Sequence, residues 1–433
     1  MVTPKGGGAG ERIHWPGVVV VGAGVTGLLV TERLRRSGIP VLLVEQRGLG
    51  AGQTGHCHGY LHRGYIYRRL GASQQSALDG CADWWGRRLA RAGGESFVGG
   101  ESVIGFTGDE EREETLAAWT SLGMPWKEVR VPGLAGTTGT FAVPEATVSP
   151  RAAVRAVAGI AESTPRVHGR AVLPRLSGRA VSELEILTDE GTTTVSAPAY
   201  VLAAGLGTPG LLGPWARALG MRTRLSYMLV CRSGRDLPGA FCLPADSAQG
   251  LFVASRPAGR DRVYLLSTFV NFWPSAEDED ARRSWLAAAG RVLATHVPAL
   301  WDDPDARWGL YPAGKIEVDL PDEGGGLPEG GVLDVGWDNA VAVLPGKFVL
   351  APLYADRCVE RLARLTDLDR LRGPSPVTPE SPTGPYGSGD SSWAAEDWEM
   401  TPLFRRAELF DGPGPARRVP APSQWKETDR WSA

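Results

Sequence analysis

No apolar run in this 433-residue chain reaches the length of a membrane-spanning helix, and residues 1–16 lack the hydrophobic stretch of a secretory leader. Both absences point to a cytoplasmic protein. Charge of one sign is missing too: 46 lysines and arginines against 49 aspartates and glutamates leave a net charge of −3. That balance argues against nucleic acid or an anionic membrane as a partner. Cysteine is scarce. Cys57, Cys81, Cys231, Cys242 and Cys358 are odd in number, widely spaced and without a CxxC pair. They read as reduced thiols, not as a disulfide framework or a zinc site. What the chain has in quantity is glycine, 57 residues, and tryptophan, 15, the latter suited to core, pocket or interface alike. The length allows two packed lobes.

Four consecutive valines, Val18–Val21, are β-branched and uniformly apolar, as suits a central parallel strand buried on both faces. They run into Gly22-Ala23-Gly24-Val25-Thr26-Gly27. In this pattern Gly22 permits a tight turn, Gly24 lets backbone approach a pyrophosphate, and Gly27 lets the next helix press on the strand. That helix, from Val25 to about Ser37, turns free N–H groups and a positive dipole end toward phosphate. Gly38 supplies a stop and Pro40–Val44 a second strand. Glu45, 18 residues beyond Gly27, ends that strand where a carboxylate accepts ribose hydroxyls, with Gln46 and Arg47 beside it. The unit predicts a dinucleotide site.

The next segment, GLGAGQTGHCHGYLHRGYIY from Gly48 to Tyr67, places three histidines, a cysteine and three tyrosines within twelve residues. So many titratable and aromatic groups are costly to bury without partners. The spacing of His56, Cys57, His58 and His62 can touch a metal, but the interleaved glycines suit backbone packed against a flat cofactor better, and no metal is expected. Helices are predicted over Ala72–Ala92, over Asp109–Leu122, and from Pro150, capped by Ser149, to about Glu162. Ala199–Ala204 reads as a second buried parallel strand, residues 220–312 as a largely antiparallel sheet, and residues 338–359 as strand, turn and helix. Beyond Arg372 the composition is that of a linker and does not predict active-site residues. One amphiphilic patch, residues 393–410, is predicted to dock on the body or on a protein partner.

The strand–GAGVTG–helix unit, Glu45, the AYVLAAGLG strand and the late GKFVLAP turn together resemble the FAD-dependent D-amino-acid-oxidase-like superfamily, in outline over residues 17–368. The sharpest local match is Gln53-Thr54-Gly55-His56 with Gly59, His62, Gly64 and Tyr67, which resembles a segment of L-2-hydroxyglutarate dehydrogenases. The resemblance implies an α/β fold with a Rossmann-type, glutathione-reductase-like FAD-binding domain over 17–80, 146–219 and 330–372. It further implies a mainly antiparallel substrate domain over 81–145 and 220–329, a flexible lead-in over 1–16 and a Pro/Gly/Ser-rich tail over 373–433. FAD is the implied cofactor. By the same resemblance Gln53, Thr54 and Gly55 lie along pyrophosphate and flavin, Ala171 and Val172 meet the adenine, Gly205 packs near the pyrophosphate, and His56, Cys57 and Ala204 are further cofactor contacts. Gly346, Lys347, Phe348 and Val349 lead into a helix whose N-terminus, with Lys347, stabilises negative charge on a reduced flavin. At the position of His56 some amine-dehydrogenating relatives carry a histidyl–flavin bond, and Cys57 is adjacent.

Two departures bear on the substrate. Cys57 and His58 stand where the hydroxyglutarate enzymes usually carry Asn and Ser. Tyr311, in Gly309-Leu310-Tyr311-Pro312, replaces the arginine with which amino-acid oxidases often grip a carboxylate, and a phenol cannot form that bidentate pair. Arg63, Arg224, Arg232 and Lys315 are the cations available to replace it, each more ordinary as a surface charge. Arg63, Tyr227 and Tyr311 are the expected substrate contacts; His62 is the expected base, with Tyr65 as its neighbour. The leading reading is oxidation of a CH–OH group of a small molecule by hydride transfer to flavin N5, with oxygen or another electron acceptor completing turnover. The runner-up is oxidation of a CH–NH bond. A third is a flavin-binding module that recruits a partner through its tail.

Overall fold

In the computed structural model, which describes residues 11–67, 70–92, 97–98, 100–245, 250–268, 279–318, 330–373 and 397–410, the four valines form a strand within a six-stranded sheet. Its order is Arg166–His168, Val41–Glu45, Val18–Val21, Ala199–Leu202, Ala340–Leu344 and Gly331–Leu333. All neighbours are parallel except the last pair. The pleat sends alternate residues to opposite cores. Val18 and Val20 join Leu28, Leu34, Trp85 and Leu362 under the helices, while Val19 and Val21 join Leu184, Ile186 and Val195 of a second, five-stranded sheet. Burial of each such side chain favours the folded state by about 1.5–3 kcal/mol.

The helix Val25–Arg36 presses on this strand as its glycines require. Gly22 has φ of +104°, and a Cβ built on Gly27 would lie 1.9 Å from the Gly22 carbonyl oxygen. No side chain fits there. Ser149 caps the helix Pro150–Glu162 by accepting from Ala152 N at 3.2 Å.

A lead-in extending to residue 16 is not what the fold has. Glu11–His14 forms a parallel strand against Gly191–Ser196, and Trp15 is buried, because that sheet edge supplies partners for the backbone. Residues 1–10 lie outside the described residues. The boundary expected at residue 80 also falls inside one helix, Ala72–Arg91, whose Leu78, Cys81, Trp85 and Leu89 share a core with Val18.

An eight-stranded, largely antiparallel sheet forms the second half. Its longest ribbon pairs Met221–Ser233 with Arg307–Val318. Leu229, Cys231 and Trp308 face the helix Glu279–His296; Met228, Val230 and Tyr311 face the other way, toward Trp398 and Leu403. Residues 397–410 therefore dock on the body, with Phe404 and Trp308 exchanging backbone hydrogen bonds of 2.7 and 2.8 Å. Residues 393–396 of the expected patch lie outside the described residues. Among the described residues no helix is long and apolar enough to cross a membrane.

Candidate functional site

A cavity of about 1350 Å³ opens at the carboxyl ends of the parallel strands, where Val21, Val44, Ala203 and Leu344 line it, and extends to the eight-stranded sheet. Carboxyl strand ends are where open α/β sheets place ligands. Gly22, Gly24, Val25 and Thr26 line one part, with Glu45, Gln46 and Arg47 from the next strand end and Ala171 and Val172 from the neighbouring sheet. Gln53, Thr54, His56 and Cys57 contribute, as do Ala204 and Gly205, and Gly346, Lys347 and Phe348.

The glycine turn is held ready by side chains. Glu45 accepts from Ala23 N at 2.7 Å with Oε2 and from Arg47 N at 2.8 Å with Oε1. Thr54 Oγ1 accepts from Val25 N at 3.1 Å, and a Cβ built on Gly24 would meet only that same oxygen, at 3.1 Å. A ligand can thus approach the turn from the cavity side. Gly27, Gly55 and Val349 do not line the cavity. Gly27 is spent on helix packing, Gly55 faces the Gly50 carbonyl, and Val349 is fully buried with its carbonyl accepting from Trp85 Nε1 at 3.1 Å.

The remaining wall holds His58, Tyr60, His62, Tyr67, Arg224, Phe252 and Lys315. Burial, with Lys347 and His58 adding to it, holds the His62 pKa down at about 3. His58 is likewise at about 3 through burial, then Arg256, Lys315 and Lys347. Both rings are neutral at pH 7. Neither ring nitrogen of His62 has a hydrogen-bond partner among the described residues. Burial lowers Lys315 to about 8, with Lys347 adding to it and Glu317 opposing. Lys347, also lowered by burial, lies 5.6 Å from the Tyr67 ring centre. Burial pushes Glu317 up, but Lys315 and Arg224 outweigh it and hold the carboxylate below its ordinary range. Lys315 and Arg224 against Glu317 leave this end of the cavity positive.

Several expected site residues lie elsewhere. Tyr65 does not line the cavity; it is 1% exposed, packs on Trp119 and donates to Pro125 O at 2.7 Å. Its neighbour Tyr67 takes the cavity place. Arg63 is drawn outward by Asp79 and Asp83, the first at 3.0 Å, and by the Pro144 carbonyl at 2.9 Å. Tyr227 packs against Trp285 on the helix side of its strand, because strand alternation gives the cavity Ser226 and Met228 instead. Tyr311 stops short of the cavity and donates to the His56 carbonyl at 3.2 Å. Of the other cations, Arg232 pairs with Asp261 at 2.9 Å away from the cavity, whereas Arg224 and Lys315 line it.

Tyr60, Phe252 and Glu317 were beyond sequence reasoning. Clues existed for Tyr60, one of the three tyrosines of the Gly48–Tyr67 segment, and for Glu317, two residues after Lys315 and hence on the same face of its strand. The tail supplies an unexpected neighbour: His56 Nε2 is 3.2 Å from Asp397 Oδ2. The His56, His58 and His62 rings each keep a buried nitrogen without a hydrogen-bond partner among the described residues, which fits a polar ligand in the cavity better than an apolar one.

The FAD dependent oxidoreductase family matches this chain over residues 17–342. The probable FAD-dependent oxidoreductase PA4991 of Pseudomonas aeruginosa is 29% identical over 385 residues, spanning 80% of this chain and 90% of its own. Its crystal structure matches with a TM-score of 0.59 at 21% identity, over 82% of this chain and 92% of that one. Glycine oxidase from Geobacillus kaustophilus matches with a TM-score of 0.63 at 18% identity, over 81% and 95%. L-amino acid deaminase from Proteus vulgaris matches with 0.61 at 14% identity, over 84% and 96%. These structures share the Rossmann-type fold seen here. The chain belongs to the FAD-dependent oxidoreductases of the D-amino-acid-oxidase type, and FAD is its cofactor.

Proposed function

We propose that FAD lies along the glycine-lined part of the cavity and that the histidine–lysine end takes a small substrate with a CH–NH bond and an anionic group such as a carboxylate. The observation that carries this reading is that two half-buried lysines, Lys315 and Lys347, line one end of the cavity together with the neutral rings of His58 and His62. FAD, when bound, supplies the hydride acceptor. Lys315 and Lys347 attract the anionic group, doing with two point charges what arginine does elsewhere with a fork. Their field also disfavours a bound ammonium, so the amine sits neutral, the form whose lone pair assists hydride loss. His62 accepts a hydrogen bond from the amine and orients it.

An alcohol makes a different demand, since its hydroxyl proton must leave with the hydride. An imidazole held at about 3 is a weak base for that task. The names of the glycine oxidase and the L-amino acid deaminase point to amino-acid substrates for those proteins. Oxidation of a CH–OH group remains the second reading, favoured by Gln53, Thr54, His56, His62 and Tyr67 lining the cavity.

An anaerobic screen of amino acids and 2-hydroxy acids, read as loss of oxidised-flavin absorbance, tests the choice. Release of ammonia or free amine alongside a carbonyl product supports the proposal, and flavin reduction by hydroxy acids alone overturns it. His62→Ala separates the readings further. Flavin reduction slows by less than about tenfold for an amine, and by about 10²–10⁴ where His62 is the general base.

A further inference from the structure

His56 lines the cavity and is 5% exposed, yet its Nε2 reaches Asp397, a residue of the tail, at 3.2 Å. Its Nδ1 has no hydrogen-bond partner among the described residues. The segment carrying Asp397 is fastened at several points. Glu399 pairs with Arg151, and Thr401 Oγ1 donates to the Asp397 carbonyl at 2.7 Å. Phe404 and Trp308 exchange two backbone hydrogen bonds. The Arg406 guanidinium lies 4.5 Å from the Trp301 ring centre, and the Phe410 ring meets Trp301 at 4.9 Å. The body also leaves room for it: a Cβ built on Gly309 would stand 2.6 Å from Pro402 O and from Thr401 Cγ2.

Burial keeps the His56 ring neutral, against the pull of Asp397. A neutral imidazole has one N–H, and a carboxylate can only accept, so the proton belongs on Nε2 and a lone pair on Nδ1. We infer that residues 397–410 are part of the framework of the FAD site and that Asp397 is a positioning residue, holding His56 in the Nε2–H tautomer so that Nδ1 accepts a hydrogen bond from the bound dinucleotide. The inference rests on FAD occupying this cavity and not on which bond the enzyme oxidises.

The test uses full-length holoprotein with nitrogen-labelled histidine, the His56 signal being assigned by its loss in His56→Gln. Nitrogen NMR is expected to show the Nε2–H tautomer. Asp397→Ala is expected to give mixed tautomers and FAD release about tenfold faster, the scale of one hydrogen bond. Asp397→Asn, whose amide oxygen still accepts, is expected to release FAD more slowly than Asp397→Ala. Each variant retains the tail's other fastenings, so melting within a few degrees of wild type is expected. A wild-type His56 in the Nδ1–H tautomer overturns the inference without any variant. So does an Asp397→Ala protein with wild-type FAD release. Equal acceleration in both variants with an unchanged tautomer assigns the tail a structural role only, and overturns the positioning role. Wild-type protein that binds no FAD would refute the cavity assignment itself, a distinguishable failure.

Discussion

Lys315 and Glu317, two residues apart on one strand and so on one face of it, form an ion pair of 2.7 Å at the edge of the cavity. Arg224, from the adjacent strand, holds the same carboxylate at 3.0 Å. Glu317 is thereby shared, and the cavity keeps positive charge for an anionic guest. Lys315 is charged below about 8 and loses its proton as the pH rises through that value. The KM for an anionic substrate should therefore rise in wild type above this pH. Lys315→Met should raise KM at neutral pH by about tenfold to a hundredfold, the range of a charge-assisted hydrogen bond. It should abolish that inflection and retain FAD. Steady-state kinetics across pH, with flavin content measured spectroscopically, checks all three.

Gly24 has free space toward the cavity, apart from Thr54 Oγ1. Gly24→Val should fold normally but project its methyl groups where a dinucleotide must approach. FAD affinity is expected to fall by about 10- to 100-fold, the overpacking range of about 1–3 kcal/mol. A dissociation constant for FAD equal to that of wild type, measured on the apoproteins, would rule out this turn as the binding site.

Glu145 is fully buried, and its Oε1 accepts from Arg63 N at 2.5 Å and Gly64 N at 3.1 Å, bracing the loop between His62 and Tyr67. Burial raises its pKa to about 7 from 4.5, although those amide bonds oppose the shift. Between these values the folded chain holds more protons here than the unfolded chain, so this contribution to stability is complete below about 4.5 and is lost as pH rises through about 7. The effect is on the order of 3 kcal/mol. Glu145→Gln keeps the accepting oxygen and removes the titration. Its stability relative to wild type should increase with pH across that window. Urea unfolding of both proteins at matched pH values measures it, and a difference that is flat with pH would contradict the assignment.

Tyr65→Phe should cost about 1 kcal/mol of stability, the net worth of one buried hydrogen bond, through loss of the contact with Pro125 O. Flavin reduction by substrate should be unchanged. A rate fall of tenfold or more would return Tyr65 to the catalytic centre.

The glycine-turn half of the cavity was legible in the sequence because its determinants are local. Strand, turn and helix follow within a few residues, Gly22 and Gly27 answer to backbone geometry and packing that no other residue satisfies there, and Gly24 leaves its side open to the cavity. Glu45, His56 and Cys57 as cavity-lining residues could be read for the same reason, as could the burial of Val18–Val21 from their uniform apolar character. The substrate end could not be read this way. Which tyrosine enters the cavity depends on strand parity and loop path, and these send Tyr67 inward, Tyr65 into the core and Tyr227 toward a helix. Whether a cation serves the site or the surface depends on its partners, which exist only once distant strands are paired: Arg63 is claimed by Asp79 and Asp83, while Lys315 is kept at the cavity beside Glu317. The contact of Asp397 with His56 is the extreme case. Nothing in either local sequence requires it, and it exists because residues 397–410 find a strand edge and an aromatic surface on which to bury themselves.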